Sequence, residues 1–190
     1  MLMNRIIGAF TFRKGVYAEV EKDKSFTTTA WLLVAVVAIL SQLGSQAGEG
    51  VNIGNWLLST AGFTVGELIG FAVAAFVISW VGRTVFNAEV TFDELVRTLG
   101  LAYVWRVVGL LGIVGFLPAL ACLVAPILFI AWILGLVAWF IAAKEALDLE
   151  WVQTIVTVIL GFIALLVIVF IVGLILGAIG ITAGLIGGLF

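Results

Sequence analysis

Two charged residues stand inside long apolar stretches, where a charge is most costly. Glu67 lies in FTVGELIGFAVAAF, and Arg106 lies in LAYVWRVVGLLG. A charge inside a bilayer is expensive, so it pairs with an opposite charge or serves a functional pathway. These two residues can therefore form an ion pair that fixes helix register, or relay a proton or a charged substrate. The structural pair is favoured.

The remaining side chains exclude the common catalytic sites. Histidine is absent, and Cys122 is the single cysteine. Without histidine or a cluster of carboxylates, the chain lacks the parts of a catalytic triad, a metal site or a His-ligated haem site. We therefore expect no enzyme activity, no metal and no cofactor. Cys122 lies in an apolar run and is expected to be a small buried side chain.

The composition predicts a membrane protein. Of the 190 residues, 64% are hydrophobic and 11% are charged, and the mean hydropathy is +1.34. Soluble domains are about half apolar and about a quarter charged. The net charge of −2 offers no strongly basic patch for nucleic acid. The expected fold class is an all-α integral membrane protein with a bundle of five transmembrane helices.

Five runs are long enough to cross a bilayer, which takes about 20 apolar residues in a helix. They run from about Phe26 to Gly44, Leu57 to Trp80, Val96 to Phe116, Ala119 to Ala143, and onward from Thr154. Residues 151–190 carry no charge and no turn signal, so we expect one span there and then a glycine-rich apolar tail. The expected domains are a cytoplasmic tail (1–25), the five-helix bundle (26–178) and the C-terminal tail (179–190).

Local signals mark the ends of these helices. Thr91 and Glu94 in VTFDELV have the pattern of a capping box, which starts the third helix. Pro118 in VGFLPALA predicts a tight hairpin into the fourth helix, and Pro126 predicts a kink within it. The N-terminal stretch NRIIGAFTFRKGVYAEV mixes apolar and basic residues. It is either an in-plane amphipathic helix or a lead-in without a function of its own.

Basic residues predict the orientation. With five crossings, the Lys and Arg residues of the N-terminal tail, Arg83, Arg97 and Lys144 fall on one side, and the other side carries only Glu49. Loops rich in Lys and Arg stay in the cytoplasm. The N-terminus is therefore expected in the cytoplasm and the C-terminus outside.

The face predicted to be cytoplasmic is a candidate docking surface for a soluble partner or for lipid headgroups. Its basic members include Arg13, Lys14, Arg83 and Lys144. Acidic residues stand among them, so internal ion pairs are favoured over a lipid site of a single sign.

Spaced glycines predict close helix contacts. One set lies in span two and one near the C-terminus: Gly62, Gly66 and Gly70, and Gly173, Gly177, Gly180 and Gly184. Packing within the bundle is the favoured interpretation, and contact with another subunit or a second copy is the alternative. Trp105 and Trp132, placed near the middle of the membrane, are expected to pack rather than to bind a ligand.

Three longer stretches resemble a known family: GVYAEVEKDKSFTTTAWLLV, WVGRTVFNAEVTFDELVRTLGLAYV and ILFIAWILGLVAWFIAAKEALDL. Their order and spacing are similar to those of the prokaryotic branch of the Yip family, related to Rab-interacting membrane proteins, over nearly the whole chain. The resemblance implies a five-helix membrane domain with a cytoplasmic N-terminus. Eukaryotic members bind Rab-type GTPases, have longer N-terminal regions and carry a DLYGP motif. This chain has a short tail and lacks the motif, so Rab-type GTPase binding is not carried over.

The expected function is that of a non-enzymatic scaffold, assembly factor or accessory subunit that acts through helix–helix packing. Its expected partners are membrane lipids and either other membrane subunits or itself, in the cytoplasmic (inner) membrane of a prokaryote. The alternative is a component of a small-solute or ion transporter or channel. A thin set of intramembrane polar residues and the lack of an inverted repeat count against that alternative.

Depth predicts that Glu67 and Arg106 meet. Counted from the outer ends of spans two and three, each lies roughly 15 Å deep at 1.5 Å per residue, on neighbouring antiparallel helices. Glu67 adjoins Gly66 and Gly70, and Arg106 lies one turn before Gly109, which places both toward close helix contacts. We predict a direct ion pair that fixes the register of the two spans.

Overall fold

The regular elements of the described chain are all helical. The computed structural model describes residues 2–48, 52–164 and 166–167. Its helices are α1 (Leu2–Phe10), α2 (Val16–Lys22), α3 (Phe26–Ser45), α4 (Ile53–Phe86), α5 (Phe92–Ala102), a 3₁₀ segment (Tyr103–Phe116), α6 (Pro118–Leu147) and α7 (Trp151–Ala164).

Four of these helices are long and apolar enough to cross a membrane. They are α3, α4, the continuous unit Phe92–Phe116, and α6 from Cys122 to Leu147, and α7 is a shorter apolar helix. The prediction of an all-α membrane protein is confirmed at this level. The remainder of the fifth span, the tail at 179–190, and Gly173, Gly177, Gly180 and Gly184 lie outside the described residues.

The predicted helix boundaries hold where local chemistry defines them. At the start of α5, the Thr91 hydroxyl accepts from Glu94 N–H and the Glu94 carboxylate accepts from Thr91 N–H, which confirms the capping box. Pro118 begins α6 directly after Leu117, which confirms the tight hairpin. α4 has 34 residues and extends beyond the predicted span at both ends.

The third span changes its helical geometry halfway. α5 is an α-helix, but the next 14 residues are 3₁₀, where runs longer than three or four residues are uncommon. A 3₁₀ helix has three residues per turn, so residues three apart lie in one row along it. The glycines of GLLGIVG, at positions 109, 112 and 115, have this spacing. They lie in a straight row only in this geometry.

That row lets the third span approach α3 closely. A Cβ built on Gly112 would lie 2.8 Å from the backbone oxygen of Gly44. A Cβ on Gly109 would lie 2.7 Å from Ser41 Oγ, and one on Gly115 would lie 2.8 Å from the backbone oxygen of Ala47. The contact between spans one and three therefore depends on the absence of side chains along this row.

The N-terminal tail forms two helices rather than the single in-plane helix that its pattern allowed. Phe12 has a φ of 51° and Gly15 has a φ of 78°, and these two conformations interrupt the helix between α1 and α2. Val16 and Val20 are fully buried, because α2 packs on α5 and α6. Apolar residues of α1 remain exposed, among them Met3 and Ile7.

Cys122 is exposed, so the expectation of burial is wrong. An apolar run predicts buried side chains only in a water-soluble protein. In a membrane protein the outer surface of a helix is itself apolar.

Candidate functional site

Glu67 is the centre of a polar cluster inside the bundle. Its side chain is only 10% exposed. Oε1 accepts a hydrogen bond from the Tyr103 hydroxyl and lies 2.5 Å from Nε of Arg106. Oε2 accepts a hydrogen bond of 2.7 Å from Nε2 of Gln42. The carboxylate thus holds donors from both α3 and the 3₁₀ segment.

Gln42 continues the cluster toward the end of α3. Because its amide NH₂ group donates to Glu67, its Oε1 is left to accept. That oxygen takes hydrogen bonds of 2.8 Å from Ser45 Oγ and 3.2 Å from Gln46 Nε2. A connected line of polar groups therefore runs from Glu67 to the last turn of α3.

The 3₁₀ geometry explains why Tyr103 and Arg106 reach the same carboxylate oxygen. They are three residues apart, so they lie in the row that continues into Gly109 and Gly112. The Arg106 guanidinium lies 5.4 Å from the centroid of the Tyr103 ring, within the range of a cation–π contact. The sequence interpretation identified Glu67 and Arg106 but missed Tyr103, whose three-residue spacing from Arg106 becomes informative only in a 3₁₀ helix.

Arg106 is only partly covered. Its side chain is 47% exposed. Its charged group contacts the Glu67 carboxylate, through Nε, and the Tyr103 ring. Neither Nη1 nor Nη2 has a hydrogen-bond acceptor within that part of the chain.

A cavity of about 570 Å³ opens beside this guanidinium. α4, the 3₁₀ segment, α6 and α7 supply most of its wall, which includes Glu67, Gly70, Phe71, Arg106, Trp132 and Phe162. α4 packs closely on α3 and α5. It contacts the 3₁₀ segment through long side chains, among them those of Glu67 and Arg106. The ion pair therefore bridges a gap between helices.

The two central tryptophans have different surroundings. Trp105 donates a hydrogen bond of 3.3 Å to the backbone oxygen of Ala9 and stacks on Phe12 with ring centroids 5.6 Å apart. Trp132 is 58% exposed and stacks on Phe129 at 6.2 Å. Both border the cavity, so the expected packing role describes Trp105 better than Trp132.

The glycines of α4 do not make the contacts expected within the bundle. Gly62 and Gly66 are exposed. A Cβ built on either of them, or on Gly70, would have no atom of the described chain within 4 Å. Gly70 instead borders the cavity. The reason is that α4 stands away from the 3₁₀ segment. The close helix packing in this part of the structure is made instead by the glycine row at 109, 112 and 115, against α3.

Arg97 anchors the N-terminal helices, a role that the sequence interpretation missed. Its side chain is 4% exposed. The backbone oxygen of Glu21 accepts from Nε at 2.9 Å and from Nη2 at 2.5 Å. Nε also donates to the backbone oxygen of Val20 at 3.1 Å. Nη1 donates to Thr27 Oγ1 at 3.2 Å. The guanidinium thereby satisfies the backbone oxygen of Glu21 at the end of α2. It also adds a donor to the backbone oxygen of Val20, which accepts from Asp23 N–H at 3.3 Å.

The basic residues of the predicted cytoplasmic face have separate surroundings. Arg13 Nη2 pairs with Glu19 Oε2 at 2.9 Å, Lys144 Nζ lies 5.5 Å from the centroid of the Trp151 ring, and Arg83 Nε donates to the Ser79 backbone oxygen at 3.3 Å. Lys14 is exposed, and no ion pair of Lys14 occurs within the described ranges.

The pKa values of three groups in α2 and at its C-terminal end are shifted by their surroundings. Burial, followed by the nearby carboxylates of Asp148 and Glu94, raises the pKa of Glu21. Burial also raises the pKa of Tyr17 well above its ordinary value, and the Tyr17 hydroxyl has no hydrogen-bond partner in the described chain. In contrast, hydrogen bonds from Ser25 and then Arg5 lower the pKa of Asp23.

Among residues 2–48, 52–164 and 166–167, no group of three or more His, Cys, Asp or Glu side chains is placed to hold a metal ion.

Comparison with known proteins gives one result. The family model described as the Yip1 domain matches residues 7–188. No curated protein and no solved structure shows significant similarity to the chain.

Proposed function

The chain belongs to the Yip1 domain family, and we propose that it acts as a non-enzymatic scaffold, assembly factor or accessory subunit through helix–helix contacts in the membrane. Family membership makes it a multi-pass membrane protein, and members of this family are generally non-enzymatic proteins of membrane traffic. The proposal adds the mode of action and the kind of partner.

The observation that carries the proposal is the exposed glycine face of α4, formed by Gly62 and Gly66. Neither position would bring a Cβ within 4 Å of another described atom, so the face has room for a foreign backbone. Glycines four apart let membrane helices approach closely. The occupant of this face is a helix of another membrane subunit or of a second copy.

The test is the assembly state of the full chain after gentle extraction. The variant Gly62→Leu/Gly66→Leu should reduce self-association or recovery of a membrane partner, measured by native mass spectrometry. Ala61→Leu adds similar bulk at an exposed position of α4 off this face and should leave assembly unchanged. A wild-type protein that remains a lone monomer, or equal assembly of both variants, would overturn the proposal.

We also propose the finer topology and location. The N-terminus is cytoplasmic, the C-terminus is outside, and the membrane is the cytoplasmic membrane of a prokaryote. The supporting argument is the excess of Lys and Arg on one side of the bundle. A reporter placed after Phe190 should be accessible from outside, whereas one in the link at residues 144–150 should be cytoplasmic. Rab-type GTPase binding is not part of the proposal.

A second candidate function is passage of a small solute or ion. The cavity beside Glu67 and Arg106 favours it, because transport pathways concentrate charged side chains at membrane depth. Flux of charged solutes through proteoliposomes that contain the full chain, reduced by Glu67→Gln, would support this function. Flux equal to that of empty vesicles would remove it.

A further inference from the structure

The cavity beside Arg106 has the make-up of a ligand site. Its volume of about 570 Å³ falls within the roughly 300–1,000 Å³ of small-molecule sites, which are largely apolar with a few placed polar groups. The apolar wall includes Phe71, Leu128, Trp132, Trp139 and Phe162, and Arg106 supplies a cationic group. Such an apolar wall can bind a hydrocarbon chain, and the cation can bind an acidic group.

Hydrogen-bond donors are in surplus at this point. A guanidinium has five N–H donors and no acceptor. Nε of Arg106 lies 2.5 Å from Glu67 Oε1, while both Nη groups have no acceptor among the described residues. The Glu67 carboxylate is satisfied further by Tyr103 and Gln42, so it does not need the rest of the guanidinium. Two Nη groups side by side match the paired oxygens of a carboxylate or phosphate.

The ligand comes from the membrane rather than from water. Arg106 lies on an apolar span between Phe92 and Phe116, far from either end. On the α6 side the wall includes Trp132, which is 58% exposed on the apolar surface of the bundle. A lipid can enter from that surface and leave its hydrocarbon against the aromatic wall.

We propose that this cavity binds an anionic lipid, with the carboxylate or phosphate on the Nη groups of Arg106 and the hydrocarbon along α6. The site is separate from the glycine face of α4 and does not depend on the scaffold function.

Tryptophan fluorescence reports occupancy directly, because Trp105, Trp132 and Trp139 all border the cavity. The full chain is reconstituted in phosphatidylcholine nanodiscs that contain a brominated lipid as quencher. Brominated phosphatidic acid and brominated oleic acid should quench saturably at low mole fraction. Brominated phosphatidylcholine should quench only in proportion to its mole fraction. The two acidic probes distinguish a phosphate from a carboxylate head.

Two variants test the site independently. Gly70→Leu fills the cavity, because Gly70 borders it and a Cβ there meets no described atom within 4 Å. Arg106→Gln removes the cation. Each should weaken apparent binding about tenfold, equivalent to about 1.4 kcal/mol, and Ala61→Leu should not. Melting temperatures check folding, and Gly70→Leu decides alone if Arg106→Gln does not fold.

Saturable quenching by the acidic lipids that is about tenfold weaker in every variant that folds supports the site. Equal quenching by brominated phosphatidylcholine, or binding retained by folded Gly70→Leu, overturns it. Competition by inorganic phosphate as effective as that by phosphatidic acid also overturns it, because the ligand would then be a soluble anion.

Discussion

The backbone oxygen of Gly44 lies where a side chain at position 112 would have to be. An ideal Cβ on Gly112 comes within 2.8 Å of that oxygen, a separation that real Cβ atoms essentially never show. Because the obstacle is backbone, it cannot rotate away as a side chain would. Spans one and three are therefore held at a distance that only glycine at position 112 permits.

Gly112→Ala should destabilise the bundle by about 1–3 kcal/mol, as overpacking does. Gly62→Ala is the matched control when both variants are compared as monomers, because its Cβ would meet no described atom within 4 Å. In a helix, alanine is favoured over glycine by about 0.5–1 kcal/mol, so the control should be neutral or slightly stabilising. Thermal unfolding of both variants in the same detergent measures the difference. Equal melting temperatures would show that α3 yields at this contact.

Arg97→Met should loosen α1 and α2 while the transmembrane helices remain folded. The change keeps an apolar stem but leaves the backbone oxygen of Glu21 without its Arg97 donors, which costs about 1–3 kcal/mol for a buried acceptor. The backbone oxygen of Val20 keeps the Asp23 N–H. Hydrogen exchange in residues 2–22 should accelerate. Arg83→Met is the control: Arg83 is exposed, and it should change stability by no more than about 0.5 kcal/mol. Unchanged protection of α2 in Arg97→Met would contradict the anchoring role.

The sequence predicts the helices well because their signals are local. The capping box at Thr91 and Glu94, and Pro118 at the start of α6, are properties of a few consecutive residues. The anchoring of α2 on α5 was harder to foresee, since it depends on Arg97, far along the chain, binding the end of α2.

The site was predictable only in part. Residue counts along antiparallel helices lead to the Glu67 and Arg106 pair that the structure places in contact. They do not reveal Tyr103 or Gln42, because those contacts depend on the 3₁₀ geometry and on the rotation of α3. Packing within the bundle, the favoured interpretation of the α4 glycines, does not hold for a similar reason: spacing four predicts a flat helix face but not what lies opposite it.

Glu21→Gln should raise stability at neutral pH. The pKa of Glu21 is raised by burial and by neighbouring carboxylates, so its charged form is disfavoured in the folded state. Its ionisation therefore removes stability as pH rises from the unfolded value, about 4.3, toward the higher folded pKa. Above that window the gain in Glu21→Gln should be roughly 0–1 kcal/mol, since the residue is partly solvated.

Below about pH 4 the variant and the wild type should have the same melting temperature. Melting curves measured from pH 4 to pH 8 give the comparison. A difference that grows as pH falls would have the wrong sign and would exclude this explanation.

Glu67→Gln and Arg106→Gln should each destabilise the protein, and the double change should recover part of the loss. Removing one partner of a buried pair costs about 3–5 kcal/mol, because the other charge stays uncompensated. The lower end is expected for Glu67→Gln, since Arg106 is 47% exposed and retains some solvation. Arg106→Gln should destabilise the protein less than if Glu67 were left with no donor at all, because Tyr103 and Gln42 still donate to the Glu67 carboxylate.

The double-mutant cycle isolates the pair from these other contacts. Thermal or denaturant unfolding of the wild type, both single variants and the double variant should give a coupling energy of about 0.5–3 kcal/mol, the range for residues in one network. Tyr103→Phe is the companion variant, as it removes one donor to Glu67 and keeps the ring beneath Arg106. It should reduce stability by about 0.5–1.5 kcal/mol. If the effects of Glu67→Gln and Arg106→Gln simply add, the 2.5 Å contact contributes no mutual stabilisation, and the register of spans two and three is set by packing alone.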